Sequence, residues 1–97
     1  MLPKAPVGDV PAWHLFVIRA PERDKLRAHL AASGIETAVH YPIPVYRMPP
    51  FKRYGPSQRT ESDRIASEVL SLPFSPMMPA ADATWVCAEI REFFNER

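Results

Sequence analysis

WHLFVIRAPERDKLRAHLAASGIETAVHY, residues 13–41, decides the fold. Residues 13–20 are apolar and β-branched at strand length, so they read as a strand covered on at least one face. PERDKLRAHLAASG then reads as a helix punctuated at both ends. Pro21 suits a first helical turn, Glu22 and Asp24 favour the positive end of the helix dipole, and Gly34 is a natural stop. Leu26 and Leu30 are four apart and share one face. IETAVHY, residues 35–41, alternates as a second strand, with Ile35, Thr37 and Val39 on one face and Glu36, Ala38 and His40 on the other.

Downstream, the second strand runs into a loop braced by Pro42, Pro44, Pro49 and Pro50. Thr60 and Asp63 have the spacing of a capping box. Behind them Ile65, Val69 and Leu72, at steps of four and three, mark a helical stripe that also carries Ser62, Ser67 and Ser71. Pro73 ends that helix, and LSLPFSP, residues 70–76, reads as a short third strand or edge segment. A last helix over 80–95 turns Val86, Ile90, Phe93 and Phe94 inward. Upstream, residues 1–12 carry three prolines and no periodic pattern, and read as a flexible lead-in or the stub of a linker.

The order β-α-β-loop-α-β-α implies an α+β two-layer sandwich, three helices packed on one face of a small sheet of about three strands. Strand 13–20 is expected beside strand 35–41, the spacing leaving parallel and antiparallel pairing both open. The expected core is Leu15, Val17, Leu26, Leu30, Ile65, Val69, Ile90 and Phe93.

Ninety-seven residues make one domain, here 13–97. A net charge of +1, with both signs scattered, gives no electrostatic footprint for nucleic acid or an anionic membrane. Twelve prolines against three glycines point to stiffened loops. A lone cysteine, Cys87, excludes an internal disulfide and reads as a small buried hydrophobe among Trp85, Val86 and Ile90. No apolar run approaches the ~20 residues of a membrane span and no signal-peptide core opens the chain, so a cytoplasmic protein is expected.

His14, in the first strand, and His29, on the first helix, read as packing or surface residues. No pair of histidines has metal-ligand spacing. There is no glycine-rich phosphate loop and no nucleophile elbow, so no self-contained enzyme can be assembled. The loop remains. His40 at a strand end, then Tyr41 and Arg47, offer imidazole, phenol and guanidinium donors to an anionic or hydroxyl-rich ligand. The bland alternative is that Tyr41 and Tyr46 fill gaps between loop and sheet.

HLFVIRAPERDKLRAHLAASGIETAVHYPIP (14–44), SEVLSLPFSP (67–76) and IREFF (90–94) together resemble the C-terminal small domain of DegT/DnrJ-type sugar-nucleotide aminotransferases. The resemblance implies a pyridoxal-phosphate enzyme of the aspartate-aminotransferase fold, a homodimer that moves an amino group from glutamate onto a keto-sugar carried by a nucleotide diphosphate. It also implies that the Schiff-base lysine and the cofactor cradle sit on a larger N-terminal domain. Lys4, Lys25 and Lys52 do not match that lysine segment, so this chain is expected to bind no cofactor and to be non-catalytic alone.

The family's His-Tyr-Pro-x-Pro matches His40, Tyr41, Pro42 and Pro44, which implies one wall of the substrate cleft, with Arg47 beside it as a further substrate donor. Tyr46 and Met48 depart from the usual His-x-Gln-Pro, and Pro79 and Trp85 from commonly polar positions. A face for the missing domain is expected, rimmed by Trp13, Met77, Met78 and Trp85. The alternatives are a free-standing ligand-binding or interaction module of the same descent, and an unrelated α+β domain.

Overall fold

The computed structural model describes residues 1–95. Its elements, among these residues, are β1 (Phe16–Arg19), α1 (Arg23–Ala32), α2 (Glu61–Glu68), β2 (Val69–Leu72) and α3 (Ala80–Asn95), with single 3-10 turns at Val45–Arg47 and Lys52–Tyr54 in the loop. This is the expected small α+β arrangement of three helices, built on a two-stranded sheet.

α1 ends as its sequence requires. Gly34 takes a left-handed φ of 79°, which a side chain would oppose. Its N–H donates to the Ala31 carbonyl and that of Ile35 to the Leu30 carbonyl, the paired bonds of a Schellman stop. Leu30 and Ile35 are both buried in the core, the hydrophobic contact that accompanies such a stop. The start differs from expectation. Pro21 and Glu22 form a turn before the helix, Glu22 caps it at φ 55°, and Arg23 is the first helical residue.

The sheet also differs. β1 pairs antiparallel with β2, placing Phe16 opposite Leu72 and Ile18 opposite Leu70. Residues 35–41 form no full strand. They contribute one bridge, in which Ala38 and Ser71 exchange both backbone bonds at 3.1 and 2.7 Å. β2 is therefore central, between β1 and the bridge, and the strand at 13–20 does not neighbour 35–41.

Local pattern carried the middle helix too far. The stripe Ile65–Val69–Leu72 fits a helix, yet α2 stops at Glu68 and the chain enters β2 with no intervening loop. Three contacts explain the switch. The buried Arg23 donates through Nη1 to the carbonyls of Ala66 at 3.1 Å and Val69 at 2.8 Å. Ala20 N–H takes the Glu68 carbonyl. Arg19 pairs with the Glu68 carboxylate at 2.7 Å, which with Arg64 holds that carboxyl below its ordinary pKa. Carbonyls that would continue the helix are thus already bonded elsewhere.

The core is Ile18, Ala20, Leu26, Leu30, Ile35, Leu70, Val86 and Phe93, with Phe16, Leu72 and Ile90 packed against it. Leu26, Leu30, Val69 and Phe93 are buried as expected. Leu15 and Ile65 are not, at 38% and 37% exposure, and Val17 is only half-buried. β1 is apolar on both faces, so the sequence did not fix its phase, and Phe16, Ile18 and Ala20 point inward instead. Phe94 and Cys87 are exposed on α3.

The phase of β1 is testable by denaturant unfolding of two variants. Ile18→Ala should cost about 2–5 kcal/mol, the range for a buried truncation, whereas Leu15→Ala should cost under about 1 kcal/mol. A larger loss for Leu15→Ala than for Ile18→Ala would mean that the strand is in the other phase.

Candidate functional site

His40 is positioned by the centre of the sheet. Ser71 alternates with Leu70 and Leu72, so its side chain leaves the core face. It is 4% exposed, and its hydroxyl lies 2.8 Å from His40 Nδ1. The bridge at Ala38, two residues earlier, sets the distance. Tyr41 follows across a cis peptide bond. Its ring stands edge-on to the His40 ring at 5.4 Å, and the residue is 70% exposed. Neither Tyr41 nor His40 Nε2 makes a hydrogen bond among the described residues. Both side chains line a groove of about 420 Å³ between the loop and α2, floored by Ile65, Ala66 and Val69. Ile65 is therefore partly exposed because it lines a groove, not the core.

Arg47 is elsewhere. It does not line this groove. Its Nε lies 2.6 Å from Asp63 Oδ1 and its Nη2 3.1 Å from Oδ2, a two-pronged ion pair, and Nη2 also reaches the Gln58 carbonyl. Asp63 collects more. It completes the expected capping box by accepting from Thr60 N–H at 2.8 Å, and it accepts the Tyr46 hydroxyl, which also meets Thr60 Oγ1. Tyr46 thus ties the loop to the start of α2. The structure brings His40 and Tyr41 together and gives Arg47 to the clamp behind them.

Two residues of this arrangement escaped the sequence reading. Ser71 falls in both the helical stripe and the extended segment 70–76, neither of which gives it a role, and Asp63 reads only as a cap. A cap acid with an arginine and a tyrosine in the preceding loop was the available signal for the second.

Hydrogen bonds from Arg47, then Tyr46 and the Thr60 backbone, hold the Asp63 carboxyl well below the usual carboxylate range, against a smaller opposing effect of burial. The same pair raises the Arg47 guanidinium. A carboxyl depressed on folding contributes stability fully above its unfolded value, about 3.9, and loses it as pH falls through the folded value. The unfolding midpoint should therefore drop as pH is lowered from 6 to about 3. In Asp63→Asn that slope should be shallower and the midpoint at neutral pH lower. An unchanged slope in thermal melts would remove Asp63 from the account.

The lysines are dispersed over the surface. Lys4, Lys25 and Lys52 are all exposed, and Lys25 pairs with Glu22 at 3.0 Å. Pro73, Phe74, Met78, Trp85 and Val86 line a second open groove of about 610 Å³. Met77 beside it is exposed, and Trp13 packs on Phe16 at 5.4 Å. No helix among the described residues is long and apolar enough to cross a membrane.

Comparison with known proteins gives this geometry a context. The chain is 40% identical over 85 residues to a dTDP-3-amino-3,4,6-trideoxy-alpha-D-glucose transaminase of Streptomyces venezuelae, covering 86% of this chain and 22% of that one. It is 38% identical over 95 residues to a pleiotropic regulatory protein of Geobacillus stearothermophilus, covering 96% and 26%. Among solved structures, S. venezuelae DesV in complex with a ketimine intermediate superposes with a TM-score of 0.86 at 38% identity, over 95% of this chain and 25% of that one. A DegT DnrJ EryC1 StrS aminotransferase from Brucella abortus gives 0.84 at 33% identity, with the same coverage. The chain thus spans about a quarter of the length of such relatives. With residues 2–91 matching the family's sequence profile, the chain belongs to the DegT/DnrJ/EryC1/StrS aminotransferase family.

Proposed function

We propose that this chain is the C-terminal small domain of a pyridoxal-phosphate-dependent sugar-nucleotide aminotransferase and supplies one wall of its keto-sugar nucleotide site. The observation that carries the reading is the pair His40–Tyr41. One imidazole nitrogen is fixed on a buried serine, the other is left over, and an exposed phenol stands edge-on to the ring beside an open groove. A pocket between domains needs donors of this kind held rigidly at its rim.

In this proposal His40 Nε2 and the Tyr41 hydroxyl meet the hydroxyl or phosphoryl oxygens of the substrate. Ser71 keeps the imidazole from rotating, whichever tautomer it holds. Arg47 acts through Asp63, positioning the loop that carries the wall. The cofactor, which supplies the electron sink for amino transfer, comes with an N-terminal domain outside this chain, and the open face at Phe74, Met77 and Trp85 is where that domain docks. The complete enzyme is a cytoplasmic homodimer with glutamate as amino donor.

With one wall only, water competes for every donor, so affinity should be weak, on the order of millimolar. Titrating a nucleotide-diphosphate sugar into labelled protein should move amide signals in residues 39–47 and at Ser71. His40→Ala should abolish the shifts while the rest of the spectrum stays put. Shifts concentrated on α1 or α3 would sink the proposal.

A second measurement addresses the cofactor. Mixing the chain with pyridoxal phosphate and reducing with borohydride should leave no stoichiometric lysine adduct by mass spectrometry. A single adduct mapped to Lys4, Lys25 or Lys52 would overturn the assignment of the cofactor to another domain.

A further inference from the structure

A second set of donors meets away from the groove, where α1 packs on α3. The ligand atoms of His29 on α1 and of Glu89 and Glu92 on α3 all lie within 4.8 Å of one another. Glu89 and Glu92 are three apart on a helix and so share a face. His29 Nε2 is sealed from solvent and has no hydrogen-bond partner among the described residues. Yet Glu89 Oε2 stands only 3.2 Å from it, an ion-pair distance. The oxygen is near enough but lies off the direction that a hydrogen bond requires.

Two ligands of one metal ion stand in this relation. Each aims at the ion instead of at the other, and tetrahedral bonds of about 2.0–2.1 Å set them roughly 3.3 Å apart. The supports are also in place. Ser33 Oγ donates to Glu89 Oε2 at 2.9 Å, fixing the carboxylate, and the His29 ring rests against Phe93 with centroids 5.5 Å apart. Groups that orient a ligand in this way normally accompany metal sites. Glu92 is exposed, so its carboxylate can swing to close the set.

We propose that His29, Glu89 and Glu92 form a divalent-metal site that staples α1 to α3. One imidazole and two carboxylates suit zinc or a neighbouring first-row ion, with water in the fourth position. The role is structural: the site lies on the helix pair behind the core and not on the His40–Tyr41 groove.

The test uses chelator-stripped chain in a Cys87→Ser background, because Cys87 is an exposed free thiol and thiolates bind zinc. Calorimetric titration with zinc chloride should show saturable 1:1 binding, a raised melting temperature and a shift of the His29 imidazole signals. Glu92→Gln changes an exposed residue and should leave the fold intact while weakening zinc at least about tenfold, and Ser33→Ala should weaken it by about tenfold. His29→Gln should abolish binding. Absence of 1:1 binding, or binding that survives both His29→Gln and Glu92→Gln, would overturn the site.

Discussion

The buried guanidinium of Arg23 holds the joint on which the sheet is built. By taking the carbonyls of Ala66 and Val69 it occupies the groups through which α2 would have propagated, and the chain turns into β2 at once. A donor with several N–H groups in a fixed plane suits this task, because it can serve two carbonyls whose own helix partners are missing. Its Nε is spent on Asp24 at 2.7 Å, so the side chain is anchored on its own helix while it reaches across.

From that joint the site follows in a short chain of consequences. β2 is pinned between β1 and Ala38, which fixes the register of Ser71. Ser71 in turn fixes the His40 ring, and Tyr41 stands against it. The proline-rich loop beyond is not held by burial, since most of its apolar side chains are exposed. Polar bonds to a single carboxylate hold it. Asp63 caps α2 and anchors Tyr46 and Arg47 at the same time, so the helix start and the loop stand or fall together.

That economy has a chemical consequence. Tyr46 has its hydroxyl turned towards the start of α2 and away from solvent-borne ligands. The apolar groove at Phe74, Met78 and Trp85 is lined by residues other than those of the His40–Tyr41 groove.

The sequence by itself determined the features closed by bonds within three to five residues. These are the Gly34 stop of α1, the Thr60–Asp63 cap and the span of α3. What the tertiary structure alone decided involves partners far apart in the chain. The strand at Val69–Leu72 had an equally good helical reading until Phe16–Arg19, about fifty residues earlier, paired with it. The phase of β1 was invisible because both of its faces are apolar, so only packing on Leu26 and Leu30 could choose Ile18 over Leu15 and Val17. Arg47 read as a free donor because its partner lies sixteen positions on. His29 read as an ordinary helix residue because Glu89 and Glu92 are brought to it only when α1 and α3 pack. Local hydrogen bonds obey the spacing of the chain, whereas strand pairing and long-range ion pairs obey the geometry of the assembled core.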